Sequence, residues 1–248
     1  MRFFYILSLI FICASSGRAS TDTFAFKEGD ILGESELAVD PSTAIFEAAT
    51  SSRYGHVGVV LQQGADLVVY EEYPPAAEIV SINEFIERSH GHYSVIRKKV
   101  PLTSDQLVSV RIEAQMFVAN HIGYNYFQTS NGTLFNCSEF ARAVFARAHV
   151  DVGQKQTVGD MDLKAFSGYL WSMWQQDNSS VSLKDHVVTP NSVMQSSGWQ
   201  WVSGSTDPQK KLSDKDLVSQ WKQEQVLDSI GDEWGLSAAQ VEKLANPN

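Results

Sequence analysis

The sequence predicts an α+β protein in which a mostly antiparallel sheet packs against a single helix that begins at a cysteine. Three observations carry this expectation. Valine-rich runs joined by a tight turn cluster early in the chain, helical spacings follow them, and Cys137 stands at the start of one of those helices. Only packing of that helix on the early strands brings Cys137 to the one histidine that opens an apolar strand, His56.

The elements follow in order. Lys27-Glu-Gly-Asp-Ile-Leu32 within Phe24 to Gly33 reads as a turn and a short strand, and Ala44, Ile45, Ala48 and Ala49 space a short helix over Ser42 to Ser51. His56 to Leu61 and Leu67 to Glu71 form a hairpin whose turn, Gln62 to Asp66, contains Gly64; Pro74-Pro75 ends its second strand. Ser81 to Ser89 reads as a helix and Tyr93 to Val100 as a strand. Ser104 to His121 is a long amphipathic helix, begun at Ser104-Asp-Gln and stopped by Gly123. In the cysteine helix Asn136 caps, Glu139 stands three residues on, and Phe140, Val144 and Ala148 recur at helical spacing.

The ends of the chain differ from this middle. Met1-Arg2, the apolar run Phe3 to Ala14 and the small residues around Gly17-Arg18-Ala19 have the layout of an export signal cleaved after Ala19. The run is too short to span a bilayer, so a periplasmic or secreted protein with no stable membrane span is expected. Cleavage removes Cys13 and leaves Cys137 as the lone thiol, unable to form an internal disulfide. It also removes Arg2 and Arg18, taking the formal charge from -10 to -12, which argues against nucleic acid as a partner. Ser203-Gly-Ser-Thr-Asp-Pro208 is linker-like, and Ser213 to Ile230 and Ser237 to Ala245 read as helices. The expected organisation is therefore residues 1–19 as signal, 20–203 as the main domain and 204–248 as a linker and helical extension.

A lone thiol in the first turn of a helix is a nucleophile candidate, because the positive end of the helix favours the thiolate. A thiol nucleophile needs a base and a group to orient it. His56 shares one strand face with Gly58 and Val60, and Gly58 is expected to leave open space beside the imidazole. Alternation across Tyr70-Glu71-Glu72 puts one carboxylate on the His56 side; Glu71 is the choice, with Glu72 the ordinary solvated alternative. His90 and His92 lack further ligands of suitable spacing, so neither a metal nor a cofactor is expected. His121, His149 and His186 read as surface or helix-end residues.

In order along the chain stand Glu28-Gly-Asp-Ile-Leu32, Ala49-Thr-Ser-Ser-Arg-Tyr-Gly-His-Val-Gly-Val-Val60, Val69-Tyr-Glu71, Gly123-Tyr-Asn-Tyr126, Asn136-Cys-Ser-Glu139 and Val188-Thr-Pro-Asn191. In these segments the chain resembles the circularly permuted branch of the NlpC-type, papain-like cysteine hydrolases, the YiiX/YaeF-like amidases. The order His, Glu, Cys is the mark of that branch. The resemblance implies Cys137 as nucleophile, His56 as base, Glu71 as its orienting residue, and Tyr126 beside the nucleophile, helping the Cys137 N–H hold the oxyanion. It implies an amide or acyl substrate, in a cell-wall peptide or a lipid. Two alternatives belong to other classes: a lipid-directed acyltransferase or thioesterase of the lecithin:retinol acyltransferase-like type, and a non-catalytic binding module on the same scaffold. The acyltransferase-like proteins usually carry a second histidine where this chain has Glu71.

Overall fold

The structure is a computed structural model. It describes residues 24–35, 47, 49–125, 134–161, 182–205 and 207–208, with 213, 216, 219, 237–239 and 242. The expected export signal, most of the Ser42–Ser51 helix, Tyr126 and nearly all of the C-terminal helices lie outside these residues.

An eight-stranded sheet organises the protein. Its strands are β1 (Ile31–Ser35), β2 (Tyr54–Gln63), β3 (Asp66–Tyr73), β4 (Ala76–Ser81), β5 (Tyr93–Lys98), β6 (Gly123–Tyr124), β7 (Leu134–Phe135) and, after a small β8–β9 pair (Lys155–Thr157 and His186–Val188), β10 (Trp199–Gly204). The spatial order is β10-β5-β1-β2-β3-β4-β6-β7. Every pairing in it is antiparallel except β6 with β7. This is the expected α+β fold with a mostly antiparallel sheet.

The hairpin forms because alternating apolar residues on β2 and β3 meet across the turn, with Val60 opposite Val69 and Leu61 opposite Val68. β3 ends at Tyr73, just before Pro74-Pro75 as expected, but the sheet continues. The two prolines occupy the connection to β4, which pairs with β3 from Tyr73 opposite Ala76 to Val68 opposite Ser81. Ser81 then caps helix α1 (Ile82–Arg88) through a bond from the Glu84 N–H. The long helix α2 (Ser104–Ala119) starts where expected, but its cap is the residue before, since Thr103 and Gln106 form the capping box. β10 runs through Gly204, one residue past the expected domain boundary, and pairs there with Ser94.

The sheet buries both faces. On one, Ile31, Val57, Val59, Leu61, Tyr70 and Ile96 pack with α2, with α3 (Cys137–Ala146) and with α4 (Pro190–Met194). On the other, Leu32, Val60, Val69, Val80 and Val95 surround Phe85 of α1. Helix α3 is anchored by Phe140, Val144 and Phe145, all fully buried; each such side chain contributes on the order of 1.5–3 kcal/mol of burial free energy. That anchoring fixes where the first turn of α3, and so Cys137, meets the sheet. Among the described residues no helix is long and apolar enough to cross a membrane.

Candidate active site

Cys137 is the first residue of α3, and the cap that precedes it is complete. Asn136 Oδ1 accepts the N–H groups of Ser138 and Glu139, both at 2.9 Å, while Glu139 Oε2 reaches back to the Asn136 N–H at 3.3 Å. The cap takes the second and third N–H groups of the helix but not that of Cys137, which stays available to a ligand at the helix start. Burial pushes the Glu139 carboxyl up to about 7.

His56 approaches from β2. The start of β2 pairs irregularly with β1, the register shifting between Glu34 and Ser35, and a bulge of this kind turns a strand end and re-aims its side chains. The ring stands between two acidic groups. Its Nε2 contacts Glu71 Oε2 at 2.6 Å, and the Cys137 thiol is near enough to act on the same ring. Burial alone pulls the imidazolium toward its neutral form. The negative charges of Cys137 and Glu71 outweigh it and hold His56 well above the usual histidine value. Burial likewise pushes Glu71 up, but the His56 and Arg88 bonds outweigh it and hold the carboxylate ionised, below its ordinary value.

Two expectations about this region need correction. Gly58 does not open space beside the imidazole: a Cβ there would run into Val69 Cγ1 and lie 2.9 Å from Phe85. The missing side chain is filled by the Phe85 ring, which packs 5.8 Å from that of His56. Glu72 is not solvated. It is fully buried, and desolvation pushes its carboxyl up to about 8 against the weaker pull of the Ala77 N–H. The side chains of β3 alternate, so Glu72 faces the helix side of the sheet and Glu71 the α1 side.

The structure thus sets His56 directly against Glu71, with Cys137 near enough to act on the same ring. Tyr126 lies outside the described residues; its neighbour Asn125 is buried, and the Asn125 N–H donates to Phe135 O at 2.8 Å, just ahead of the cap. His90, His121, His149 and His186 are exposed, as surface residues should be. Among the described residues no group of three or more His, Cys, Asp or Glu side chains could hold a metal ion.

Sequence reasoning missed two members of the cluster. Arg88, in the last turn of α1, donates from Nη2 to Glu71 Oε2 at 2.7 Å and to Glu34 Oε1 at 2.9 Å. Glu34, fully buried on β1, is pushed up by desolvation against the pull of His56 and Arg88. The available signal was a carboxylate continuing the apolar run of β1; its arginine is 54 positions away.

Comparison with known proteins bears on this arrangement. A family model described as permuted papain-like amidase enzyme, YaeF/YiiX, C92 family, matches residues 26–203. Among solved structures, the crystal structure of the metalloprotein YiiX from Escherichia coli O157:H7 superposes with a TM-score of 0.65 at 20% sequence identity, over 72% of this chain and 97% of that one. At that identity the likeness speaks for the fold alone. No curated protein matches the chain.

Proposed function

Because the chain belongs to the permuted papain-like amidases, the C92 family of YaeF and YiiX, and so to a family of cysteine hydrolases, we propose that it cleaves an amide through a Cys137-His56-Glu71 triad and a thioacyl-enzyme intermediate. The observation that carries this is the His56 ring, bonded to Glu71 through Nε2 at 2.6 Å and under the electrostatic influence of Cys137 at the start of α3.

In this mechanism the resting site is a thiolate beside an imidazolium. Cys137 Sγ attacks the amide carbonyl carbon; the C–S bond forms and the π electrons move to oxygen. The Cys137 N–H, left out of the cap, and Tyr126 receive that oxyanion. Collapse restores the C=O bond and breaks C–N, the departing nitrogen taking the proton from His56 Nδ1. Neutral His56 then takes a proton from water as the resulting hydroxide attacks the thioester. Breaking C–S releases the acid and restores the ion pair. Glu71 holds the ring and stabilises its charge throughout.

Residues 1–19 act as an export signal in this proposal, so the enzyme works in the periplasm or outside the cell, with residues 204–248 as an extension of the catalytic domain. Peptide amides of the cell wall are the first substrate class to test. Glu71 supports hydrolysis over the acyltransferase-like alternative, since a carboxylate and not a second histidine contacts His56. The test is labelling of the mature protein with a panel of peptide-like and lipid-like acyl electrophiles. Stoichiometric labelling at Cys137, followed by release of the free acid, is expected. A thiol that no carbonyl electrophile labels returns the binding-module alternative. Transfer to an added amine or lipid in place of release returns the acyltransferase.

A further inference from the structure

On the α1 side of the sheet, four neighbouring strands bring ionisable side chains to one place: Glu34 on β1, His56 on β2, Glu71 on β3 and Glu78 on β4. Glu34 pairs directly across from His56, and Glu78 directly across from Glu71. Arg88 serves all three carboxylates. Its Nε and Nη2 lie 3.2 and 2.9 Å from Glu34 Oε1, Nη2 lies 2.7 Å from Glu71 Oε2, and Nη1 lies 3.7 Å from Glu78 Oε1. The guanidinium is held flat by the Tyr73 ring, 4.3 Å below it, and by Phe85 at 5.3 Å. The negative end of α1 favours a cation at this position as well.

As a device for stability this cluster is poor. Buried ion pairs lose in desolvation much of what they gain in attraction, and here Glu34 Oε2 and Glu71 Oε1 are buried with no partner. What the cluster does achieve is geometric, because Glu71 Oε2 receives both His56 Nε2 and Arg88 Nη2. A carboxylate held by one donor can rotate away from the imidazole; held by two on the same oxygen, it cannot without breaking both. We propose that Arg88 and Glu34 are positioning residues of this site: Arg88 locks Glu71 against His56, and Glu34 anchors Arg88 while supplying negative charge that keeps His56 protonated.

The charge balance points the same way. Three carboxylates face one guanidinium, so the imidazolium is the second cation of the cluster. Among the described residues, the other ionisable groups around the ring are Tyr73 of β3, whose ring lies 5.4 Å away edge-on, Cys137 from α3 and Glu72 from the far face of β3, each of the last two adding negative charge only when ionised. The proposal builds on the Cys-His-Glu triad but is tested without turnover, so the two fail separately.

The experiment is NMR titration of the His56 ring in the full chain, its signals assigned by their loss in His56→Gln, with thermal unfolding recorded beside each variant. Glu34→Gln keeps an acceptor for Arg88 and removes only charge. It is expected to move the His56 titration to lower pH by about one unit, the lower end of what a neighbouring charge produces. Arg88→Lys keeps the charge and loses the fork; the low-field proton of the short His56 Nε2–H bond to Glu71 is expected to broaden or vanish through exchange with water. A His56 titration that superimposes on wild type in Glu34→Gln, or a low-field proton unchanged in Arg88→Lys, overturns the proposal. Should Glu34→Gln not fold, Glu78→Gln at a partly exposed position is read in its place, with a smaller displacement in the same direction expected and none overturning it. A chain that hydrolyses no amide but shows these displacements loses the triad mechanism and keeps this inference.

Discussion

Glu71 and Glu72 are consecutive and equally buried, yet β3 sends them to opposite sides of the sheet and into opposite charge states. On the α1 side, Glu71 finds His56 and Arg88, whose bonds overcome desolvation and hold it ionised. On the helix side, Glu72 finds no cation to bond, only the Ala77 N–H, and desolvation pushes its carboxyl up to about 8, neutral across most of the physiological range. Burial is the same for both. The difference lies in partners, and the two sides of one strand therefore differ in state: one holds a charge beside His56, while the other holds a proton.

The hardest blow to that comparison is removal of the group that joins the two sides. Cys137→Ala keeps the cap residues and the helix start, so the fold is expected to persist by circular dichroism while labelling by acyl electrophiles drops below detection. Next in size, Glu71→Gln is expected to cut turnover by about 10²–10⁴-fold through loss of the charge that supports imidazolium. Glu72→Gln should stay within about threefold; equal losses would mean that the two sides do not differ in function. His56→Ala should slow iodoacetamide alkylation of Cys137 at neutral pH by roughly tenfold or more, because the thiolate loses its counter-charge. A rate that does not change breaks the pair.

pH sharpens the comparison further. His56 is held above its unfolded value, so its imidazolium persists at neutral pH and is lost as pH rises through that raised value. Hydrolysis needs the imidazolium to protonate the leaving amine, so the alkaline limb of kcat/KM should lie well above 6.5. The smallest effect concerns Glu72. Its raised value, about 8 against 4.5 in the unfolded chain, means that the folded state binds more protons between those pH values. Stability is therefore lost as pH rises from about 4.5 to about 8. Glu72→Gln should raise Tm by a few degrees at pH 8 and change it little at pH 4.5; an equal shift at both would show that packing, not charge, is responsible.

What was legible in the sequence was local. Alternation revealed the β2–β3 hairpin, and the Asn136–Glu139 spacing revealed both halves of the α3 capping box. The choice of Glu71 over Glu72 came from strand alternation together with the position of His56. What escaped was of two kinds. Strand β4 was hidden because Pro74-Pro75 reads as a terminator, whereas here the prolines sit in the connection between two antiparallel strands. The surroundings of His56 depend on contacts made at long range: Phe85 fills the space at Gly58, Arg88 reaches Glu34 across 54 positions, and nothing near Glu72 in sequence shows that the sheet will bury it. A carboxylate reads as solvated until the whole sheet is known.

The order of the elements has a consequence for how the protein becomes active. Residues 31–98 supply β1 to β5 and α1, and with them Glu34, His56, Glu71 and Arg88; Cys137 follows only after α2 and the short strands β6 and β7. In a polypeptide made from its N-terminus, the imidazole and its carboxylates are therefore synthesised before the thiol exists. At roughly 5–20 residues per second the cysteine follows the last base-side strand by a few seconds. Until α3 docks, that thiol has neither the helix start nor the imidazole beside it, and it is an ordinary, sluggish cysteine. If Cys137 is the nucleophile proposed above, its reactivity arrives with the last steps of folding, and an incomplete chain carries an inert sulfur past the other thiols and acyl groups it meets on the way.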